Sequence, residues 1–330
     1  MKETVLEVDS RMAKPVVLLF EPIHAKAMSV LEQQAEVRMA ESLDPAWLMQ
    51  HVADVDGIII RANGKVPREL MQTAPRLKVV ARHGVGVEAI DRAAAAELGI
   101  TVVNTPFAND ESVAEHCLGL ILILAKRMRQ ADPAIRAGDW DSRFRLIGNE
   151  VQGKTIGLVG FGKIGQRVAA MGHNALEMPI LYYDVVRYPE AKARLRARPV
   201  VLDELLSQSD FVSLHTPMLS ATKGLINEAA LKKMKKTAYL INTARGPVVD
   251  QAALIRALEG GWIAGAGLDV YDPEPLPPDS PLLRMSNVIL SPHMAAHTDE
   301  ALLRMAMVVT DVLAVIEGRT PQFPVPPPTA

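Results

Sequence analysis

Short, nearly continuous apolar runs alternate with helix-period patterns along almost the whole chain, and no other feature limits its possible folds so sharply. The runs are Val16–Phe20, Gly57–Ile60, Lys78–Ala81, Thr101–Asn104, Thr155–Val159, Leu181–Asp184, Phe211–Leu214, Ala238–Asn242, Gly265–Val270 and Val288–Leu290. Between most of them apolar residues recur three or four apart, as at Leu254, Ile255 and Leu258. A strand apolar at every position is buried on both faces, and intervening helices supply the cover. The pattern therefore predicts parallel sheets in an α/β fold. About four runs precede residue 105 and about six follow residue 153, so the 330 residues read as two such units. Between them a long helix is predicted from Ser112 to about Lys126, opened by the capping-box pattern Ser112-x-x-Glu115. A last amphipathic helix is predicted over Asp299–Glu317, stopped at Gly318 with Pro321 beyond. The Pro-rich segment Pro321–Pro328 reads as an extended tail, and roughly the first dozen residues as loosely held.

Composition removes several function classes. Hydrophobic residues at 49% and charged residues at 22% exclude a disordered or fibrous chain. Lys plus Arg total 36 against 38 Asp plus Glu, a net charge of −2, which leaves no electrostatic footprint for nucleic acid. The single cysteine, Cys117, can form neither an internal disulfide nor a cysteine-based zinc site, and a reducing cytoplasm is expected. The apolar run Cys117–Ala125 is shorter than the ~20 residues a membrane-spanning helix needs. Met1–Asp9 carries acids where a signal peptide would carry a basic and then an apolar stretch.

The run Thr155–Val159 leads into Gly160-Phe161-Gly162-Lys163-Ile164-Gly165 and then a helical pattern. Strand, G-x-G-x-x-G and helix together form a dinucleotide-binding turn, with the pyrophosphate placed at the helix N-terminus. A second strand ends at Asp184, nineteen residues after Gly165, where a carboxylate can accept from a ribose diol and repel the extra phosphate of NADP. NAD is the expected cofactor, although Arg187 nearby leaves NADP open. Two alternatives stand at this point: a structural glycine turn beside a surface acid, and a methyltransferase, whose fold also uses such a turn.

Open parallel sheets bind ligands beyond the carboxyl ends of their strands. Those ends carry His215-Thr216-Pro217, Thr243-Ala244-Arg245-Gly246, Asp269 with Glu274 five residues on, and Pro292-His293. An arginine, two carboxylates and a histidine thus arise on the edge where a nicotinamide would lie. Singly, each has a plain structural explanation: an ion pair for Arg245, a turn cap for Asp269, a core histidine for His293.

With these residues in place the sequence resembles the D-isomer-specific 2-hydroxyacid dehydrogenase family, most of all its phosphoglycerate and hydroxypyruvate dehydrogenase branch. The resemblance runs from about Val16 to Arg319 and rests on 83-HGVGV, 104-NTP, 112-SVAEH, the glycine turn, 242-NTARGPVVD, 267-GLDVYDPEP and 292-PHMAAHT. It implies two Rossmann-like or flavodoxin-like parallel-sheet domains with an interdomain cleft. The substrate domain would be 1–108 and the NAD-binding domain 109–298, with 299–330 returning to the first. It implies Arg245, Glu274 and His293 as catalytic residues, with His293 moving the proton and Arg245 gripping substrate oxygens. Cofactor contacts would come from Gly160, Gly162, Lys163, Ile164, Gly165, Asp184, Thr216, Pro217, Thr243, Asp269 and Ser112, and no metal is required. Val85, Gly86 and Val87 would hold the substrate carboxylate by their backbone. Arg61, with Lys65, and Arg143 and Arg145 are further candidates for substrate. The implied reaction moves a hydride between nicotinamide and C2 of a 3-phosphoglycerate-type or hydroxypyruvate/glyoxylate-type acid. A homodimer using the helix from Ser112 is implied as well, with no nucleic-acid or membrane partner. Arg61-Ala62-Asn63-Gly64 departs from the Arg-Ser-x-Thr of many phosphoglycerate enzymes by two hydroxyls. An NADH-sensing co-repressor of the same fold is the alternative function.

Overall fold

A computed structural model describes residues 14–328, so the expectation for the N-terminal start lies outside the described residues. The chain divides into two compact units: residues through Asn109 together with those from Asp299 onward, and Asp110–Thr298.

The first unit holds five parallel strands: β1 (Val16–Leu19), β2 (Glu36–Met39), β3 (Gly57–Ile60), β4 (Val79–Arg82) and β5 (Thr101–Val103), in the order β2-β1-β3-β4-β5. Successive side chains point to opposite faces. Val16, Leu18, Ile58, Ile60 and Val80 pack with Leu48, Leu70 and Met71. Val17, Leu19, Ile59, Val79 and Ala81 pack instead with Ala27, Leu31, Val309, Val312 and Leu313. Burial on both faces is why these strands read as unbroken apolar runs. The C-terminal helix expected over Asp299–Glu317 is two helices, Asp299–Ala306 and Val309–Ile316. At the junction, Val308, Thr310 and Asp311 donate to carbonyls three residues back rather than four, which tightens the turn and buries both Val308 and Val309. The Pro-rich tail is extended, as expected. Pro324 bridges the edge strand β5 at Val103, Val325 N donates to Val102 O, and the buried Asp311 carboxylate accepts from Gln322 N and Phe323 N.

The second unit holds seven parallel strands: β6 (Ile156–Val159), β7 (Ile180–Tyr183), β8 (Arg198–Pro199), β9 (Phe211–Leu214), β10 (Tyr239–Asn242), β11 (Gly265–Leu268) and β12 (Val288–Leu290). Their order is β12-β11-β10-β9-β6-β7-β8. The strand order reverses between β6 and β9, and this is the switch point where an open sheet receives a ligand. One face packs Ile156, Leu158, Ile180 and Ile241 against Cys117, Leu120, Ile121 and Leu124 of the helix Asp110–Ala125. That helix begins two residues earlier than the capping-box reading placed it. Asp110 and Glu111 occupy its first turn, where the helix dipole favours acids, and Ser112 lies inside the helix, not at its cap. Most of the helix's apolar side chains are spent in this core. The segment that follows exposes Met128, Ile135, Trp140, Phe144 and Ile147, and the helix itself exposes Leu122.

Candidate active site

The glycine turn leaves β6 at Gly160, whose φ of +92° is open to glycine at little cost; a Cβ there would sit 2.7 Å from the His215 carbonyl carbon. This close approach joins the ends of β6 and β9, the two strands at the switch point. Gly162 is the N-cap of the helix Lys163–Leu176 and faces open space, so the first N–H groups of that helix have room for an anion. Gly165 packs against the turn, a Cβ there falling 2.5 Å from Gly160 O. Lys163 is exposed and Ile164 half-buried at the helix start. Asp184, half-buried after β7, accepts from Phe161 N at 2.6 Å and Val186 N at 2.9 Å, which fixes its carboxylate beside the turn.

Thr216 and Thr243 follow neighbouring strands β9 and β10. Their hydroxyl oxygens are buried with no hydrogen-bond partner among the described residues. Buried hydroxyls ordinarily find partners, so two orphans at adjacent strand ends mark where a polar ligand completes the structure. With the open helix N-terminus they fit a dinucleotide. Pro217 is exposed beside Thr216. Burial pushes the His215 imidazole down to about 4, and Ser213 Oγ lies 2.9 Å from its Nε2.

His293 and Glu274 come together. His293 Nδ1 lies 2.8 Å from Glu274 Oε2, and Tyr271 N donates to Glu274 Oε1 at 3.0 Å. Burial works against the Glu274 charge. The hydrogen bonds from His293 and Tyr271, with the charges of His293 and Arg245, outweigh it and hold the carboxyl below the usual range. Arg245 leaves β10 in extended conformation; Asn242 Nδ2 donates to its carbonyl, and its own Nη1 donates to Ala244 O. Gly246 lets this segment pass Tyr271, because a Cβ there would fall 1.7 Å from Tyr271 O. Asp269 is buried, and its carboxylate accepts from Ser291 Oγ, Met294 N and Ala295 N. Ser112 Oγ donates to Ala295 O at 3.0 Å. The turn-pinning roles of Tyr271 and Ser291 were not legible in the sequence. His116 belongs to the 112-SVAEH motif and, four residues after Ser112, shares its helix face.

In the first unit, β4 runs into His83-Gly84-Val85-Gly86-Val87. Three side chains hold this loop: Arg82 Nε donates to Gly86 O, Asn104 Nδ2 to Val85 O, and Thr105 Oγ1 accepts from Gly84 N. Among the described residues none accepts from the backbone N–H of Val85, Gly86 or Val87. Burial, aided by the Arg61 and Arg82 charges, pushes His83 down to about 4. Arg61 follows β3 next to β1, at this sheet's own switch point, and its Nη1 donates to Pro22 O. Glu21, at the end of β1, takes Ala62 N, Asn63 N and Asn63 Nδ2 on its carboxylate. Lys65 is exposed. In the second unit, the Arg143 guanidinium covers the Trp140 and Phe144 rings at 5.2 and 4.6 Å from their centroids, while Arg145 pairs with Asp139. Among the described residues there is no cluster of metal-ligating side chains and no helix long and apolar enough to cross a membrane.

Residues 118–295 match the family described as D-isomer specific 2-hydroxyacid dehydrogenase, NAD binding domain. A glyoxylate reductase of Thermofilum pendens is 43% identical over 321 residues, 94% of each chain. A D-3-phosphoglycerate dehydrogenase of Archaeoglobus fulgidus is 39% identical over 92% of this chain, which spans only 57% of that protein. Among solved structures, the TT0316 protein of Thermus thermophilus superposes with a TM-score of 0.89 at 40% identity, covering 94% of this chain and 100% of the other. The match over the second sheet removes the methyltransferase alternative.

Proposed function

The chain belongs to the D-isomer specific 2-hydroxyacid dehydrogenase family, and on that premise we propose that it interconverts a D-2-hydroxy acid and its 2-oxo acid with NAD, on a substrate of the glyoxylate or hydroxypyruvate class. The observation that carries this reading is the 2.8 Å hydrogen bond between His293 and Glu274. An ionised Glu274 only accepts, so Nδ1 of His293 carries the proton and Nε2 is the nitrogen offered to substrate. The neutral ring takes the C2 hydroxyl proton through Nε2; the protonated ring returns one to the 2-oxo oxygen. Arg245 draws negative charge toward that oxygen and grips the carboxylate. A bound nicotinamide would supply the hydride chemistry. Gly160, Gly162, Lys163, Ile164 and Gly165 would hold the pyrophosphate, Asp184 the ribose, and Thr216, Pro217, Thr243 and Asp269 the remaining polar edge, with Ser112 beside it.

The first unit acts as the substrate domain, with the amides of Val85, Gly86 and Val87 as donors to the substrate carboxylate. Arg61 stands at its switch point, but the adjacent amides are already taken by Glu21. A carboxylate in that position repels a phosphate dianion, which favours a small unphosphorylated acid over a 3-phosphoglycerate type. The exposed apolar side chains Met128, Ile135, Trp140, Phe144 and Ile147 support a homodimer.

The test is turnover. His293→Ala and Arg245→Ala are each expected to lower kcat by about 10²-fold or more while NADH binding stays within about twofold. Near-normal kcat in both variants overturns the roles. Across glyoxylate, hydroxypyruvate, phosphohydroxypyruvate and larger 2-oxo acids, one of the first two is expected to give the highest kcat/KM. A preference for the phosphorylated acid overturns the substrate assignment.

A further inference from the structure

We propose that His116 is a positioning residue for the turn that carries His293, acting through Ser291 and Asp269. The inference rests on the proton-transfer role of His293. Ser112 and His116 lie four residues apart in the helix Asp110–Ala125, so they share one helix face. That face meets both ends of the segment Ser291–Ala295. Ser112 Oγ donates to Ala295 O at 3.0 Å, and His116 Nε2 lies 3.0 Å from Ser291 Oγ.

Hydrogen counting fixes the direction of this chain. The Ser291 hydroxyl has a single hydrogen, and it is given to Asp269 Oδ1 at 2.6 Å. His116 Nε2 is therefore the donor to Ser291 Oγ. Asp269 passes the constraint on. Its carboxylate accepts from Met294 N and Ala295 N, both at 2.9 Å, and its carbonyl accepts from His293 N at 2.8 Å. Three consecutive amides, beginning with that of His293, hang from one buried residue. The load on them is real, because His293 sits at φ +51°, a conformation a non-glycine residue keeps only where its surroundings over-determine it. Removing the His116 donor leaves the Ser291 oxygen short of a partner and loosens the carboxylate that orients the turn. The imidazole of His293 then wanders from the geometry in which its Nε2 meets substrate.

The experiment compares His116→Leu, His116→Gln, Ser291→Ala and the double variant His116→Leu/Ser291→Ala in the full chain, with glyoxylate and NADH. His116→Leu and Ser291→Ala are each expected to lower kcat on the order of tenfold, with KM for glyoxylate and Kd for NADH moving less than about twofold. His116→Gln places an amide N–H near the former Nε2 and is expected to recover most of kcat. The double variant is expected to fall no lower than the worse single one, since both break one chain. Full kcat in His116→Leu and Ser291→Ala, failure of the glutamine to rescue, or multiplying losses in the double variant each overturn the proposal. Should His116→Leu not fold, His116→Gln and Ser291→Ala decide the matter. His293→Ala, run alongside, separates the two claims. Its retention of turnover removes the proton-transfer role of His293 and this inference with it, whereas its inactivity beside fully active Ser291→Ala overturns this inference alone.

Discussion

Gly246 shows how little freedom the site leaves at single positions. Its Cα passes so near Tyr271 that a methyl group would overlap the Tyr271 carbonyl oxygen, and the Tyr271 amide is the group that holds Glu274. Gly246→Ala is therefore expected to cost about 2–3 kcal/mol of stability and to lower kcat as Tyr271 is pushed aside. Denaturant unfolding and steady-state kinetics check both; an unchanged midpoint and kcat contradict the close passage. The same residues mark the limit of what the sequence discloses. The meeting of Glu274 with His293 was legible because the fold rule sends chemistry-bearing side chains to the carboxyl edge of the sheet. Glu21 was not legible, since its three donors come from a strand end forty residues away in the chain. Asp269 was legible as a strand-end carboxylate, but its grip on the turn after β12 depends on backbone directions that no residue type encodes.

At the scale of elements, His83 after β4 and His215 after β9 each stand at a strand end, and burial pushes each ring down to about 4. The unfolded chain protonates these rings at about 6.5, so as pH falls the unfolded state gains protons first. Their contribution is complete above pH 6.5 and is lost between 6.5 and about 4, by up to about 3 kcal/mol for each ring. Calorimetry across that window should show the thermal midpoint falling, and His215→Gln should flatten the slope for the second unit. An acid slope unchanged by His215→Gln contradicts its buried neutral state. The strands that escaped sequence reading, β2 and β8, are both edge strands. Glu36 and Met39 at the ends of β2 are exposed and the two central residues half-buried, and β8 is only Arg198–Pro199. An edge needs no unbroken apolar run, so the signal that found the other strands is absent there.

For the molecule as a whole, the proposed dimer would rest on the segment after the helix Asp110–Ala125. The helix Met128–Arg136 has no buried residue, and Trp140, Phe144 and Ile147 are 63, 67 and 73% exposed. Light scattering should report twice the chain mass for the native protein, and Trp140→Ser with Phe144→Ser should halve it. A monomeric native protein contradicts the assignment. The order in which the parts become available has its own consequence. The face of the first sheet bearing Val17, Leu19, Ile59 and Ala81 is roofed by Val309, Val312 and Leu313. Those roofing residues leave the ribosome about 200 residues after β5, some ten to forty seconds later at roughly 5–20 residues per second. A nascent chain must shelter that greasy surface until synthesis ends, and one interrupted at residue 298 can never do so. Premature termination should thus release a well-folded nucleotide module tethered to a sticky, chaperone-dependent sheet.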